Sequence, residues 1–328
     1  MTNKELCNGL YHSNRIILSK AITLIESTRA EDQAQAGELL NAIIPHTGNS
    51  IRVGITGVPG VGKSTFIEAF GKHLTQNGYQ LAVLTIDPTS QRTKGSILGD
   101  KTRMEELAKN PNAFIRPSAS GGTLGGVTSR TREVIMLCEA AGFNFIIVET
   151  VGVGQSEVAV RNMVDFFLLL MLPGAGDELQ GIKKGIMEMA DGLVINKADG
   201  DNIKKANQAK AEYQQALHLF PPAESGWTPP VLTCSATEET GIEKVLDMIL
   251  QYVAQTKSSI YFESQRAHQA TRWLHDYFDH LLKQDLQKFN TLQQDLEQLE
   301  KKVSSKVISP YVAAQQLLEH YHQAIRAT

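Results

Sequence analysis

Cysteine is scarce: the chain of 328 residues has only Cys7, Cys138 and Cys234, far apart and without C-x-x-C spacing. That excludes a disulfide framework and a zinc knuckle, and it suits a reducing compartment. Long hydrophobic runs are missing too. The longest, Phe166–Leu172, is far too short to cross a bilayer, and the opening MTNKELCNG has no apolar h-region, so a cytoplasmic protein is expected. Charge of one sign is also in short supply. A net charge of -3 and a pI near 6.3 leave no basic footprint for nucleic acid. His268, His275, His280, His320 and His322 are scattered along polar sequence and form no Cys/His metal-transfer cluster. Beyond Gly241 there is no glycine, and Pro310 is the only proline, which leaves a polar, helix-favouring tail.

What is present alternates between two periods. Ile51–Thr56, Leu81–Ile86, Ala113–Arg116, Phe145–Val148, Phe166–Leu172, Gly192–Ile195 and Val231–Cys234 are short apolar runs of strand type. Helical patterns lie between them. This predicts an α/β fold, a mostly parallel sheet covered by helices on both faces, and the G-x-x-x-x-G-K-S run Gly57–Ser64 after its first strand makes it of P-loop NTPase type. From Asn14 to Ile44 apolar residues recur at helical spacing, predicting a helical N-terminal extension over 1–48. The nucleotide-binding domain is then expected over 49–256 and a helical C-terminal arm over 257–328. In the arm, Ala270, Trp273, Leu274, Tyr277, Phe278, Leu281 and Leu282 form one stripe, and Leu292, Leu296, Leu299 and Val303 follow at 4-3-4 spacing. Such a seam either packs back on the same chain or joins two copies, and a homodimer is the expectation.

Gly57-Val58-Pro59-Gly60-Val61-Gly62-Lys63-Ser64 matches G-x-x-x-x-G-K-[ST] between a predicted strand and a predicted helix that opens at Thr65. Glycines there let backbone N–H groups face a phosphate. Lys63 spans the β- and γ-phosphates in such a loop, the helix adds its positive dipole end, and the Ser64 hydroxyl is placed for Mg²⁺.

Asn196-Lys197-Ala198-Asp199 follows the predicted strand Gly192–Ile195 and matches N-K-x-D, a guanine-reading signature. A carboxylate at Asp199 can accept from N1–H and the 2-amino group of guanine together, and adenine offers neither donor there. The Lys197 stem can lie over the base, and Asn196 can tie its loop to the phosphate loop. Ser235-Ala236 resembles the next guanine-contacting segment. GTP and GDP are therefore the expected ligands.

Carboxylates at other strand ends are candidate Mg²⁺ partners. Asp87 ends one strand, and Glu149 opens Glu149-Thr150-Val151-Gly152, a D-x-x-G switch with glutamate in first place. Asp100 is a third, with a solvated carboxylate the open alternative. Gly152 falls where the switch glycine contacts the γ-phosphate. The water-positioning glutamine after it is absent, since Val153 stands there, so slow intrinsic hydrolysis is expected. Arg92, Lys94, Arg103, Lys183 and Lys184 are cations that a partner could bring in to complete the site. The glycine-rich runs Arg116–Gly126 and Pro173–Gly181 have the composition of switch loops.

Taken together, the phosphate loop, Thr85-Ile86-Asp87-Pro88-Thr89-Ser90, Glu149-Thr150-Val151-Gly152-Val153-Gly154-Gln155-Ser156-Glu157, the Pro173–Gly181 loop and Asn196–Asp199 resemble the MeaB/ArgK family of methylmalonyl-CoA mutase-associated GTPases. The resemblance implies a GTP-dependent chaperone of an adenosylcobalamin-dependent methylmalonyl-CoA mutase, gating cofactor loading and protecting the mutase. It also implies a C-terminal dimerisation arm, Asp87, Asp100 and Glu149 as acidic Mg²⁺-site residues, and a third switch ending in Lys183. No D-x-H-x-x-G cobalamin-ligand motif is present, so the chain is expected to hold no cobalt itself. Two other readings compete: a P-loop kinase linked to amino-acid transport, which needs no guanine selectivity, and a nickel-insertion GTPase, which needs the missing Cys/His cluster.

Overall fold

The computed structural model describes residues 1–86, 104–118, 124–150, 156–174, 184–287 and 289–326. Seven strands, β1 (Ile51–Gly57), β2 (Leu81–Ile86), β3 (Ala113–Ser118), β4 (Phe145–Thr150), β5 (Phe166–Met171), β6 (Gly192–Ile195) and β7 (Val231–Thr233), form one sheet. Their order is β3-β2-β4-β1-β5-β6-β7, and every pairing is parallel. All seven apolar runs are strands, and the expected α/β class is the one found. β1 sits centrally. After it the chain moves out to β2 and β3, returns to β4 beside β1, and then continues from β5 outward on the other side, so the C-terminal end of β1 opens where the strand order reverses. Ligands of parallel α/β sheets bind at that kind of place.

Helices cover both faces, and strand side chains alternate between them. One face carries Val53, Ile55, Phe145, Ile147, Phe166 and Leu168, buried against Phe66, Phe70 and Leu74 of α4 (Lys63–Gln76) and Val245 and Ile249 of α10 (Ile242–Ser258). Part of the other face gathers Leu169, Met171, Leu193 and Ile195 under Ala206 and Tyr213 of α9 (Ile203–Leu217). Full burial of one such side chain contributes about 1.5–3 kcal/mol.

The N-terminal extension is three helices, α1 (Asn3–Tyr11), α2 (Arg15–Glu26) and α3 (Ala30–Ile43), packed on α6 (Leu124–Ala140). Helical periodicity alone missed α1. Its signal is a capping box, in which the Thr2 hydroxyl accepts from Glu5 N–H and the Glu5 carboxylate accepts from Thr2 N–H. The remaining helices are α5 (Glu105–Lys109), α7 (Ser156–Arg161), α8 (Lys184–Met189), α11 (Tyr261–Gln287), α12 (Asn290–Ser304) and α13 (Pro310–Arg326).

Buried charge secures the end of the sheet away from the β1 loop. Glu139 accepts from Arg52 Nε at 2.8 Å, from Ser50 Oγ and from Gly48 N–H, while Asp165 accepts from Arg52 N–H and from Arg266 Nε at 2.8 Å. Each carboxylate is nearly filled by donors, as burial requires. Removing one partner of such a pair costs about 3–5 kcal/mol.

Contacts divide the chain into two compact units, Met1–Gln269 and Ala270–Thr328. In the second unit α12 packs on α13, with Leu292, Leu299 and Ala313 buried and Tyr321 Oη donating to Asp285 at 2.9 Å. Leu274, Tyr277, Phe278, Leu281 and Leu282 form an exposed apolar stripe along α11. No described helix is long and apolar enough to cross a membrane.

Candidate functional site

The loop from Val58 to Gly62 leaves the end of β1 and feeds directly into α4. Three glycines shape it. A Cβ on Gly57 would lie 2.5 Å from the Leu170 carbonyl oxygen of β5, so only glycine permits this strand approach. Gly60 and Gly62 have φ of +76° and +85°, in the left-handed region that other residues enter at a cost. Gly62 is the N-cap of α4 and offers no side-chain cap, so the first N–H groups of a 14-residue helix face outward at its positive end. That is the geometry of an anion cradle. Pro59 and Thr65 are exposed, Val58 and Ser64 are half-buried, and Val61 is buried among the core residues beneath.

Lys63, the first residue of α4, turns back so that its Nζ donates to the Gly57 carbonyl at 2.9 Å. Its pKa is lowered, chiefly by burial, and the carboxylates of Glu149 and Glu157 oppose that shift. Glu149 is 5% exposed in β4, in register with Ile55 of β1 and Thr85 of β2. Beside it the Thr150 hydroxyl donates to the Thr56 hydroxyl at 2.8 Å. Glu157, 1% exposed in α7, was not singled out from the sequence. Its signal was its place at the end of the Glu149–Glu157 run, where a buried carboxylate needs the lysine as counter-charge.

Asn196 links the two halves of the site. Its side chain is 1% exposed; Nδ2 donates to the Val61 carbonyl at 2.8 Å, while Oδ1 accepts from Ala236 N–H at 3.2 Å and from the Cys234 thiol at 3.5 Å. Phosphate loop, N-K-x-D loop and Ser235-Ala236 are thus joined through one amide. The buried Cys234 thiol thus helps to orient this amide. Lys197, at φ +59°, reaches across to donate from Nζ to the Gly60 carbonyl at 2.7 Å. The Ser235 hydroxyl donates to Asp199 Oδ2, which holds the carboxylate in one rotamer at the loop edge. Reciprocal backbone bonds between Ser235 and Thr240, at 3.0 and 3.1 Å, close the loop that carries Ala236. A Cβ on Gly241, at φ +74°, would meet the Thr233 carbonyl oxygen at 2.6 Å.

Asp87, Asp100, Gly152, Lys183, Arg92, Lys94 and Arg103 lie outside the described residues, as do most of the two glycine-rich runs. Ser64 and Glu149 are the metal candidates that can be placed. Both are hard oxygen donors of the kind Mg²⁺ takes, so the residues present fit that ion. Among the described residues no three His, Cys, Asp or Glu side chains gather as a metal cluster.

Comparison with known proteins agrees with this geometry. Residues 18–291 match the family described as methylmalonyl Co-A mutase-associated GTPase MeaB. The chain is 49% identical over 314 residues to the probable GTPase Rv1496 of Mycobacterium tuberculosis, covering 96% of this chain and 94% of that one. It is 49% identical over 273 residues to GTPase ArgK of Escherichia coli, covering 83% and 82%. With the mouse protein named methylmalonic aciduria type A homolog, mitochondrial, identity is 44% over 327 residues, 97% and 79% of the two chains. A crystal structure of an LAO/AO transport system kinase superposes with a TM-score of 0.78 at 38% identity, covering 98% of this chain and 97% of that one. A glycine loop at the N-terminus of α4 joined by Asn196 to the N-K-x-D loop, and relatives alike across nearly the whole length, lead to one assignment: the chain belongs to the MeaB family of methylmalonyl-CoA mutase-associated GTPases and is a GTPase.

Proposed function

We propose that this GTPase is a nucleotide-dependent chaperone of an adenosylcobalamin-dependent methylmalonyl-CoA mutase, gating loading of the cofactor and protecting the mutase from inactivation. The observation that carries the partner is the family match over residues 18–291. The mouse relative named for methylmalonic aciduria agrees with it.

GTP or GDP binds with its phosphates on the backbone of Gly57–Ser64 and Thr65 and its base between Lys197, Asp199 and Ser235-Ala236. Lys63 leaves the Gly57 carbonyl for the β- and γ-phosphates, which offer a charged acceptor in place of a neutral one. Asp199, already oriented by Ser235, selects guanine. Ser64 and Glu149 would hold Mg²⁺ together with Asp87 and Asp100, and Gly152 would contact the γ-phosphate. Bound there, the ion neutralises charge on the phosphate oxygens. Glu149 and Glu157 oppose the lowering of the Lys63 pKa that burial brings.

Hydrolysis is slow in the isolated chain, because Val153 stands where a water-positioning glutamine is usual, and the mutase accelerates it by ordering the Pro173–Gly181 loop so that Lys183 completes the site. Residues 1–48 form the extension, 49–256 the GTPase domain and 257–328 a dimerisation arm. The exposed stripe of Leu274, Tyr277, Phe278, Leu281 and Leu282 supports a homodimer, and the reading places the protein in the cytoplasm.

GTP turnover with and without the mutase, in wild type and Lys183→Ala, tests this reading. Wild type should accelerate at least tenfold, which needs only about 1.4 kcal/mol of transition-state stabilisation. A mutase that binds and leaves the rate unchanged refutes partner activation. Lys183→Ala responding like wild type removes that residue from the route. The similar structure that is named a kinase suggests phosphoryl transfer instead, and ATP competing equally with GTP would favour that.

A further inference from the structure

Strand β4 ends beside the phosphate loop and β5 starts at the opposite end of the sheet, so α7, which lies between them in the chain, runs back along β1. Glu157, Val160 and Arg161 recur at intervals of three and four residues and share one side of this helix. That side faces β1. An added Cβ on Gly54 would lie 2.8 Å from Val160 Cγ1 and 3.1 Å from Val164 Cγ2, so a residue without a side chain lets α7 and the turn after it lie directly on the central strand. In the first turn the buried Glu157 is one of the two carboxylates whose charge acts on Lys63. One turn on, Arg161 pairs with Asp191 at 3.0 Å, and Asp191 accepts from Phe167 N–H at 2.8 Å at the start of β5.

The far end of α7 is held by the first part of α11. Gln269 Nε2 donates to the Val164 carbonyl at 2.8 Å, and Arg266 donates to Asp165 from Nε at 2.8 Å and from Nη2 at 2.7 Å. Asp165 also accepts from Arg52 N–H, and its own N–H donates to the Arg52 carbonyl, both at 2.8 Å. Arg266 is seated from a second side, where Nη2 donates to the Ser50 carbonyl at 2.6 Å and the guanidinium lies 4.5 Å from the centre of the Phe262 ring. From Arg52 to Gly57 the strand rises about 16 Å. Gln269 and Arg266 are therefore too far from the phosphate loop to touch a nucleotide.

A bound nucleotide changes the charge at one end of this arrangement only. Its phosphates draw Lys63 off the Gly57 carbonyl and bring negative charge to the lysine that Glu157 also uses. A ligand shifts a structure by as much as its interaction differs between the two states, and here the difference falls on the first turn of α7. We propose that α7 and the turn Asn162–Asp165 couple the phosphate site to the root of α11, with Glu157 responding to the phosphates and Gln269 and Arg266 receiving the response. The proposal rests on the phosphate-loop reading above. Helix α11 continues to Gln287 and carries the exposed stripe of Leu274, Tyr277, Phe278, Leu281 and Leu282, so the state of the nucleotide site reaches the helix that presents this surface. Such coupling is reciprocal: if GDP alters the root of α11, a change at that root alters GDP affinity.

The experiment uses the full chain, calorimetry with GDP and Mg²⁺, and hydrogen exchange with and without GDP. In the wild type GDP should change exchange at the Asp165, Arg266 and Gln269 amides by about fivefold, the lower end of usual coupling factors. Glu157→Gln, close in shape and uncharged, should still bind GDP and lose that response. Gln269→Met removes the donor to the Val164 carbonyl while Arg266 keeps its bonds to Asp165, and it should shift the GDP dissociation constant by about fivefold from a position that cannot reach the nucleotide. A response that persists in Glu157→Gln overturns the proposal, as does a Gln269→Met dissociation constant within about twofold of wild type. A wild type that binds no GDP would instead overturn the phosphate-loop reading. Exchange of the Glu157 to Arg161 amides in ligand-free Gln269→Met would then decide the connection, faster exchange supporting it and wild-type exchange ending it.

Discussion

Replacing Asn196 by alanine tests how the two halves of the site depend on each other. The amide donates to the Val61 carbonyl and accepts from Ala236 N–H and the Cys234 thiol, and it is 1% exposed, so water does not replace it freely. Truncation leaves one backbone acceptor and one backbone donor without their partner. Each orphaned group costs about 1–3 kcal/mol, or about 2–6 kcal/mol together. Part of this lowers the stability of the free chain; the rest appears in binding, because the phosphate loop and base loop no longer hold a common geometry and the nucleotide must restore it. GDP affinity measured by calorimetry should fall at least about 30-fold, equivalent to about 2 kcal/mol. Asn196→Asp should be no better: it keeps the acceptor for Ala236 N–H but turns an oxygen toward the Val61 carbonyl in place of a donor. A dissociation constant for Asn196→Ala within about threefold of wild type, with an unaltered melting temperature, would refute the idea that this amide unifies the site.

Asp199→Asn should weaken GDP by about 3 kcal/mol, through loss of two charge-assisted hydrogen bonds, with ATP competition unchanged; equal wild-type affinity for ATP and GTP would remove the guanine assignment. Lys63→Ala should abolish GTP hydrolysis and Ser64→Ala should mainly weaken Mg²⁺ dependence, and normal turnover in Lys63→Ala would show that the phosphates bind elsewhere. Gly57→Ala should lower the melting temperature by several degrees, because its Cβ would meet the Leu170 carbonyl oxygen at 2.5 Å; an unshifted unfolding curve would mean that β1 and β5 separate at no cost. Arg52→Met should destabilise the chain by about 3–5 kcal/mol in denaturant unfolding by leaving Glu139 without its counter-charge, and a change below about 1 kcal/mol would show that Ser50 Oγ and Gly48 N–H suffice.

Features that depend on short stretches of chain were legible in the sequence. Strand runs declare themselves because burial on both faces of a parallel sheet demands continuous apolar residues. A phosphate loop does so because the approach of the Leu170 carbonyl at Gly57 and a left-handed backbone at Gly60 and Gly62 admit glycine and little else. The capping box at Thr2 and Glu5 was equally local, but periodicity does not register it. What could not be read were relations among residues far apart in sequence. Asn196 meets Val61 and Cys234, Lys63 feels Glu157, and Glu68 caps a helix that starts at Glu105, in each case through the strand order and the packing of α4. Residue type and local spacing determined which groups are candidates to bind a guanine nucleotide. Only the tertiary structure decided which of those groups meet, because hydrogen bonds and charge pairs act over a few ångströms of space and carry no trace of the distance along the chain.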